Sequence, residues 1–349
     1  MMRLPKFALT SPETVEDATR LLAELGDRAV VLSGGTDLLP NLKRHQLSVE
    51  TVISLDRLDG LAGIRIEDGK VRIGARTTLH EIASSDLTPP VVARAAAEVA
   101  SPSIRNQGTI GGNLCVDTRC FWLNVPDLWR QAAKPCLKTG GDTCWVAPAK
   151  QVCWAVSSSD LAPVMVAVGA SVTLVGPDGE RHVAVDELYR EDGMAHLAKA
   201  PEEILTEITI PFDTDLLATY HKLRRRGTVD FPILGVAAAI RLDHGGTCTA
   251  ARIVLGAVAS APLRVPDAEE ALVGRPFGPG PIAEAAEAAR KLARPLHNTD
   301  LTSRYRKRMV PVFVRRALEE LTEHSSSCVS NPRRQATTHA RTDRGEADS

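Results

Sequence analysis

The chain has 349 residues, with 42 Lys and Arg against 43 Asp and Glu. This balance excludes a strongly basic nucleic-acid-binding surface, and it excludes the charge excess of a wholly disordered chain. The N-terminus has no apolar core of signal-peptide length, and no run approaches the roughly 18 apolar residues that a membrane span needs. We therefore expect two or three domains, a cytoplasmic location and no membrane span.

Residues 1–55 predict a small α+β unit that contains a glycine-rich turn. Ser11-Pro12 has the pattern of a helix start, and apolar residues recur at helical spacing up to Gly26. The strand-like run Ala29–Leu32 then leads into the turn 33–37, Ser-Gly-Gly-Thr-Asp. Such a turn gathers several backbone N–H groups and can bind phosphate. Taken alone it is more often a tight connection, and it matches neither the dinucleotide fingerprint nor the Walker A pattern.

A second glycine-rich turn follows a predicted hairpin and two predicted helices. The hairpin is centred on Asp68-Gly69, and the helical patterns cover residues 77–82 and 91–99. The second turn, 109–113, reads Thr-Ile-Gly-Gly-Asn. A pyrophosphate offers oxygens on two sides, so two such turns closing on it would form a site for a dinucleotide such as FAD.

The next segment contains all four tryptophans of the chain and five of its seven cysteines. Four of these cysteines are separated by fifteen, seven and eight residues, so they lack the close pairs of a structural zinc site. Thiolate sulfur also suits iron–sulfur clusters, and we favour a [4Fe–4S] cluster over zinc. Small core residues and disulfide partners are the alternatives. In a reducing compartment, seven cysteines indicate ligands plus leftover thiols.

The remaining sequence predicts the end of this domain and a second domain. Asp160 precedes the apolar run 161–168 and can either accept a hydrogen bond from a ligand hydroxyl or cap a helix. A strand is predicted over 204–211, and Pro211-Phe212-Asp213 marks the boundary. Strand and helix patterns beyond it predict an α+β domain of about a hundred residues. From residue 325 onward, the composition predicts a disordered tail.

These motifs together resemble a known family. The two glycine-rich turns, the Ser-Asp-Leu-Ala-Pro run at 159–163 and the proline-ended strand at 204–211 are similar to the flavin-binding subunit of the xanthine dehydrogenase family of molybdenum hydroxylases. The similarity extends from about Leu4 to His324. Most of these relatives pass directly from the second turn to the Ser-Asp run. The insert of this chain resembles that of the β subunit of 4-hydroxybenzoyl-CoA reductase, where the loop holds a [4Fe–4S] cluster.

The resemblance implies an α+β fold. Residues 1–215 would form a PCMH-type FAD-binding domain of two α+β subdomains, with the iron–sulfur insert at 116–156. Residues 216–324 would form a C-terminal α+β domain like that of carbon monoxide dehydrogenase flavoproteins, followed by the disordered tail 325–349.

The resemblance also implies site residues. Those assigned to FAD are Leu32, Ser33, Gly34, Gly35, Thr36, Asp37, Val99, Thr109, Ile110, Gly111, Gly112, Asn113, Asp160, Leu205 and Lys222. Those assigned to the cluster are Cys120, Cys136, Cys144 and Cys153, with Cys115 outside. Lys222 would place positive charge near the reduced flavin. The chain departs from the family at Gly108, where alanine is more frequent, and at Trp145, where we expect a polar aromatic residue such as histidine.

The implied function is electron transfer rather than chemistry on an organic substrate. The chain would relay electrons among an external carrier such as ferredoxin, the [4Fe–4S] cluster, FAD and the [2Fe–2S] clusters of a small subunit. The last acceptor would be a large molybdopterin-binding subunit that reduces 4-hydroxybenzoyl-CoA. Two alternatives are the FAD subunit of an aldehyde- or purine-oxidising dehydrogenase, and a flavin-free regulatory protein whose insert binds structural zinc.

Overall fold

The computed structural model describes the backbone of residues 3–329. Its strands are β1 (Ala8–Thr10), β2 (Ala29–Leu32), β3 (Thr51–Ser54), β4 (Ile64–Glu67), β5 (Lys70–Gly74), β6 (Ser171–Gly176), β7 (Gly179–Ala184), β8 (Ile204–Pro211), β9 (Leu217–Leu223), β10 (Leu234–Leu242), β11 (Cys248–Gly256) and β12 (Leu263–Arg264). Its helices are α1 (Val15–Leu25), α2 (Leu38–Lys43), α3 (Leu79–Ser84), α4 (Pro90–Ala97), α5 (Pro102–Arg105), α6 (Ile110–Leu114), α7 (Phe121–Asn124), α8 (Asp127–Ala133), α9 (Leu161–Ala167), α10 (Pro266–Glu270), α11 (Pro279–Leu292) and α12 (Ser303–Val329).

The first subdomain is a three-stranded parallel sheet in the order β1-β3-β2, with α1 packed beside it. Helix α1 begins after Thr14, whose hydroxyl accepts a hydrogen bond from Asp17 N at 3.0 Å. The helix start predicted at Ser11 is therefore wrong, because Thr14 provides the capping hydroxyl. Gly26, with φ of 52°, ends the helix as the sequence predicts.

The second subdomain is a five-stranded antiparallel sheet in the order β4-β5-β8-β6-β7. Asp68 and Gly69 have φ angles of 51° and 66°, as a tight hairpin between β4 and β5 requires, so that prediction is confirmed. Strand β8 occupies the predicted range and lies between β5 and β6. Helices α3, α4, α6 and α9 contribute side chains to the core over this sheet.

The C-terminal domain is a four-stranded antiparallel sheet in the order β12-β11-β10-β9. Helices α10, α11 and α12 supply the apolar side chains that pack on it. The buried helix α9 of the preceding domain also contacts β10 and β11. This contact places α9 beside the C-terminal domain. Of the predicted disordered tail, residues 325–329 continue α12, and residues 330–349 lie outside the described residues.

The cysteine-containing insert leaves the second subdomain after α6 and returns before α9. Arg119 and Val156 close its neck with two backbone hydrogen bonds of 2.8 and 2.7 Å. The insert contains the short helices α7 and α8 and is otherwise mostly irregular. The insert contacts the first subdomain, where Gln46 Nε2 donates to Leu123 O at 3.1 Å. It also contacts the C-terminal domain, because Phe121 N donates to Asn298 O at 3.0 Å. Within residues 3–329, no helix is long and apolar enough to cross a bilayer.

Candidate functional site

The two glycine-rich turns lie against each other at the junction of the two subdomains. The first turn connects β2 to α2, and the second turn includes the start of α6. Ser33 Oγ and Thr109 Oγ1 are 3.0 Å apart and form a hydrogen bond between the turns. The structure therefore brings together the two segments that the sequence analysis pairs.

Close backbone packing explains the glycines in both turns. A Cβ atom on Gly34 would lie 2.0 Å from the carbonyl oxygen of Gln107, and one on Gly111 would lie 2.8 Å from the Cβ of Ala75. Gly35 has φ of 71°, which disfavours other residues. Thr109 caps α6 by accepting a hydrogen bond from Gly112 N at 3.2 Å. The glycines therefore allow protein segments to pack closely at the turns, and the N–H groups of Ile110 and Gly111 donate to Thr77 O at 3.0 Å and to Ala75 O at 2.9 Å.

Asn113, at the end of the second turn, contacts the Ser-Asp run that follows the insert. Its Oδ1 atom accepts hydrogen bonds from Ser159 Oγ at 2.7 Å and from Leu161 N at 3.3 Å. These contacts join the two ends of the insert to each other, in addition to the backbone pairing at the neck. Asn113 therefore positions the segment that contains Asp160.

Asp160 and Lys222 form a buried ion pair between the two domains. Their side chains are 4% and 1% exposed, and Lys222 Nζ lies 2.8 Å from Asp160 Oδ2. Tyr220 Oη donates to Asp160 Oδ1 at 2.7 Å, and Lys222 Nζ also donates to Glu98 O at 2.9 Å. Burial raises the pKa of Asp160, whereas Lys222 and Tyr220 oppose the shift.

The contacts of Asp160 decide between its two predicted roles only in part. Asp160 stands at the N-cap position of α9, but its side chain makes no capping hydrogen bond, so the capping alternative is wrong. Both carboxylate oxygens are engaged within the protein, by Tyr220 and Lys222. A ligand hydroxyl would have to share them.

Val99 and Leu205, which the sequence analysis also assigns to FAD, lie in different parts of the structure. Val99 is half-buried next to Glu98, and its carbonyl accepts a hydrogen bond from Arg105 Nη1 at 2.8 Å. Val99 therefore lies near Lys222, which contacts the carbonyl of Glu98. Leu205 is buried in β8, within the core of the second subdomain.

The four cysteines of the insert line one cavity. The lining residues are Cys120, Trp122, Leu123, Cys136, Leu137, Lys138, Cys144, Trp145, Val146, Cys153 and Ala155. Three of the four thiols are buried, and that of Cys136 is half-buried. All four are free thiols, so the disulfide alternative is wrong for them. In the part of the chain that the structure describes, no three His, Cys, Asp or Glu side chains are grouped so as to hold a metal ion.

Nearby donors and charges act on these sulfurs. Ala155 N donates to Cys153 Sγ at 3.4 Å, and Thr139 Oγ1 donates to Cys136 Sγ at 3.5 Å. Burial raises the pKa of Cys120 to about 11, although the amides of Trp122 and Leu123 oppose the shift. The Cys120 thiol is therefore protonated near neutral pH, and its ligation to a metal would release a proton.

Two charged residues near these sites are absent from the sequence-based assignment. Lys138 lines the thiol cavity, and its side chain is 11% exposed. Arg119, next to Cys120, forms an ion pair with Asp37 of the first glycine-rich turn. The only sequence signal for either is its proximity to a cysteine, because their partners are distant along the chain.

Two protein-family models match the chain. The model of the FAD binding domain in molybdopterin dehydrogenase matches residues 5–213, and the model of the CO dehydrogenase flavoprotein C-terminal domain matches residues 218–321. The chain belongs to the FAD-binding subunits of the molybdenum hydroxylases. As a member of this family it is an oxidoreductase subunit, and the prediction of FAD as a cofactor is confirmed.

Individual molybdenum hydroxylase subunits are similar over nearly the whole chain. The carbon monoxide dehydrogenase medium chain of Afipia carboxidovorans is 31% identical over 90% of this chain and 96% of its own length. Subunit alpha of the 6-hydroxypseudooxynicotine dehydrogenase complex of Paenarthrobacter nicotinovorans is 29% identical over 91% of this chain and 95% of its own length. A structure of carbon monoxide dehydrogenase from Hydrogenophaga pseudoflava has a TM-score of 0.75 and 31% identity, covering 91% of this chain and 98% of its own. The predicted family and its two-domain FAD subunit fold are thereby confirmed.

Proposed function

We propose that the chain is an electron-transfer subunit that binds both FAD and a [4Fe–4S] cluster, similar to the β subunit of 4-hydroxybenzoyl-CoA reductase. Its partners would be a large molybdopterin-binding subunit, a small [2Fe–2S] subunit and an external carrier such as ferredoxin, in the cytoplasm. FAD suits such a junction because a flavin exchanges one or two electrons, while the protein positions and tunes the cofactor.

The proposed FAD site lies where the two glycine-rich turns meet. The turns 33–37 and 109–113 would hold the diphosphate and its neighbouring groups, and the hydrogen bond between Ser33 and Thr109 supports their joint action. Leu32 ends the strand that leads into the first turn. Asp160, Val99 and Lys222 would border the remainder of FAD, since Lys222 contacts both Asp160 and the carbonyl of Glu98, the residue before Val99. For Leu205, its buried position in β8 offers no separate support.

The observation that supports the cluster is the single cavity lined by Cys120, Cys136, Cys144 and Cys153. Four thiolates are the usual ligand set of a [4Fe–4S] cluster. The donor set therefore fits the cluster, and N–H groups at the sulfurs would stabilise bound thiolates.

Metal and flavin analysis of the full chain, purified without oxygen, tests this proposal. We expect about four irons and one FAD per chain, because a cubane cluster contains four irons. Substitution of serine for Cys136 should abolish the iron and leave FAD in place, since the cavity is separate from the glycine-rich turns. Cys115→Ala is the matched control and should retain all the iron. Stoichiometric zinc without iron would refute the cluster.

A second candidate is the FAD subunit of an aldehyde- or purine-oxidising dehydrogenase. It is favoured by the relatives, which include the glyceraldehyde dehydrogenase medium chain of Sulfolobus acidocaldarius and a xanthine dehydrogenase FAD-binding subunit of Escherichia coli. Assays of the assembled complex with 4-hydroxybenzoyl-CoA and reduced ferredoxin, and in parallel with aldehydes and purines, distinguish the two. Oxidation of an aldehyde or purine without acyl-CoA reduction would support this second candidate.

A further inference from the structure

Arg119 is a nearly buried cation beside the first glycine-rich turn. Its side chain is 12% exposed, and one guanidinium nitrogen pairs with Asp37 at the end of that turn. A second nitrogen is 3.4 Å from Asn41 Oδ1, and the guanidinium carbon lies 4.9 Å from the centre of the Phe231 ring. Arg119 thus contacts the first subdomain and the C-terminal domain, although it belongs to the insert.

The third guanidinium nitrogen of Arg119 lacks a partner. Arg119 Nε is buried and has no hydrogen-bond partner within the protein. Buried donors are nearly always paired, and leaving one unpaired costs free energy. An unpaired donor on a nearly buried cation, next to the first glycine-rich turn, indicates an acceptor that the protein itself does not supply.

The charges around the turns favour an anionic acceptor. A diphosphate at these turns would lie near the negative charge of Asp37, and backbone N–H groups contribute only partial charges against this repulsion. Lys222 donates to Asp160 and to Glu98 O, and Arg105 donates to Val99 O, whereas Arg119 keeps one donor, Nε, without a partner in the protein. Arg119 neutralises Asp37, and arginine presents five donors in a planar fork that suits phosphate oxygens.

We propose that Arg119 is a diphosphate-binding residue of the FAD site, which neutralises Asp37 and donates from Nε to a phosphate oxygen of FAD. This inference rests on the proposed position of the diphosphate at the two glycine-rich turns. Arg119 directly precedes Cys120, so the neck of the insert contributes to the flavin site as well as to the thiol cavity.

The test measures dissociation constants of the deflavinated full chain for FAD and for riboflavin, which lacks the diphosphate. In Arg119→Gln, the constant for FAD should rise about tenfold or more, as expected for a lost hydrogen bond to a charged group, while that for riboflavin should stay within twofold of wild type. Salt should also weaken FAD binding less in this variant than in wild type, because one charge interaction is missing. Arg119→Lys, which keeps the charge, should retain part of the salt dependence.

Arg241→Gln is the matched control, since Arg241 also pairs with an aspartate, Asp213, but on the C-terminal sheet. Arg241→Gln should change neither the dissociation constant for FAD nor that for riboflavin. Equal increases for FAD and riboflavin in Arg119→Gln, or an unchanged salt dependence, would mean that Arg119 only maintains the fold. If wild type binds riboflavin as tightly as FAD, the glycine-rich turns do not bind the diphosphate, and the proposed site itself fails.

Discussion

At the scale of single residues, the ion pair of Asp160 and Lys222 has the highest degree of burial of the charged pairs described above. Taking both charges out of water is costly, and their mutual attraction and the hydrogen bonds from Tyr220 and to Glu98 O offset that cost. Neither partner can be removed without leaving the other charge buried and unpaired. The pair therefore makes the contact between the FAD-binding and C-terminal domains specific.

We predict that Asp160→Asn lowers the free energy of unfolding by about 3–5 kcal/mol, because the ammonium of Lys222 loses its counter-charge. Denaturant unfolding of the full chain measures this. The double variant Asp160→Asn/Lys222→Met should recover part of the loss. Asp17→Asn, which removes an exposed partner of Arg20, should cost less than about 1 kcal/mol. Equal losses of unfolding free energy in Asp160→Asn and Asp17→Asn would contradict a larger contribution from the buried pair.

At the scale of elements, Lys138 joins the insert to the loop around Gly193, next to the thiol cavity. Lys138 Nζ donates to Asp117 Oδ1, to Thr118 Oγ1 and, at 2.7 Å, to Gly193 O. Lys138 is thereby fixed at the wall of the cavity. Burial raises the pKa of Cys153, and the ammonium of Lys138 opposes that shift. A fixed positive charge stabilises electron density on the sulfurs and on any cluster that they hold.

We predict that Lys138→Met lowers the midpoint potential of the proposed cluster, because net charge and hydrogen bonds near the sulfurs set such potentials. A redox titration monitored by electron paramagnetic resonance measures the change, and iron analysis confirms that the cluster is still bound. The midpoint potential of Lys138→Arg should stay closer to that of wild type, because arginine keeps the positive charge. Lys150→Met, at an exposed position of the same insert, is the control. A potential that stays the same in Lys138→Met would exclude this role.

At the scale of the whole molecule, helix α12 of the C-terminal domain is linked to helix α4 of the FAD-binding domain. Glu320 accepts hydrogen bonds from Arg94 Nη1 and from Thr219 Oγ1 at 2.9 Å, and His221 Nε2 lies 2.7 Å from its other oxygen. Burial raises the pKa of Glu320, but the hydrogen bonds from Arg94 and Thr219 outweigh this effect and hold the pKa below its ordinary value of 4.5.

A lowered carboxyl pKa stabilises the fold above the unfolded pKa, and this stabilisation is lost as the pH falls through the folded pKa. We therefore predict that Glu320→Gln lowers the free energy of unfolding near neutral pH, by about 1 kcal/mol or less because Arg94 is partly exposed. The difference from wild type should be complete above the ordinary Glu pKa of 4.5, and it should disappear as the pH falls through the lower pKa that Glu320 has in the folded protein. Glu24→Gln, at an exposed pair, is the control. If the difference in unfolding free energy between Glu320→Gln and wild type persists in strong acid, the charge of Glu320 is not its cause.

The predictions from sequence succeeded where a few neighbouring residues decide the outcome. The hairpin at Asp68-Gly69 depends on two residues with positive φ, and strand β8 on a short apolar run, so both could be predicted from local patterns. The helix start at Ser11 failed because several residues near it can cap, and local pattern does not rank them. The two glycine-rich turns could be located from their residue types, whereas the hydrogen bond between them, across 76 positions of the chain, could not.

By itself, the sequence determined the family, the glycine-rich turns and the cysteine-containing insert, because these depend on residue identity and spacing along the chain. Tertiary structure decided that Asp160 pairs with Lys222 and Tyr220 instead of capping α9, and that Arg119 reaches Asp37. It also decided that four dispersed cysteines line one cavity with Lys138 at its wall. Such contacts join positions far apart in the chain, and they form only when separate sheets and helices pack together.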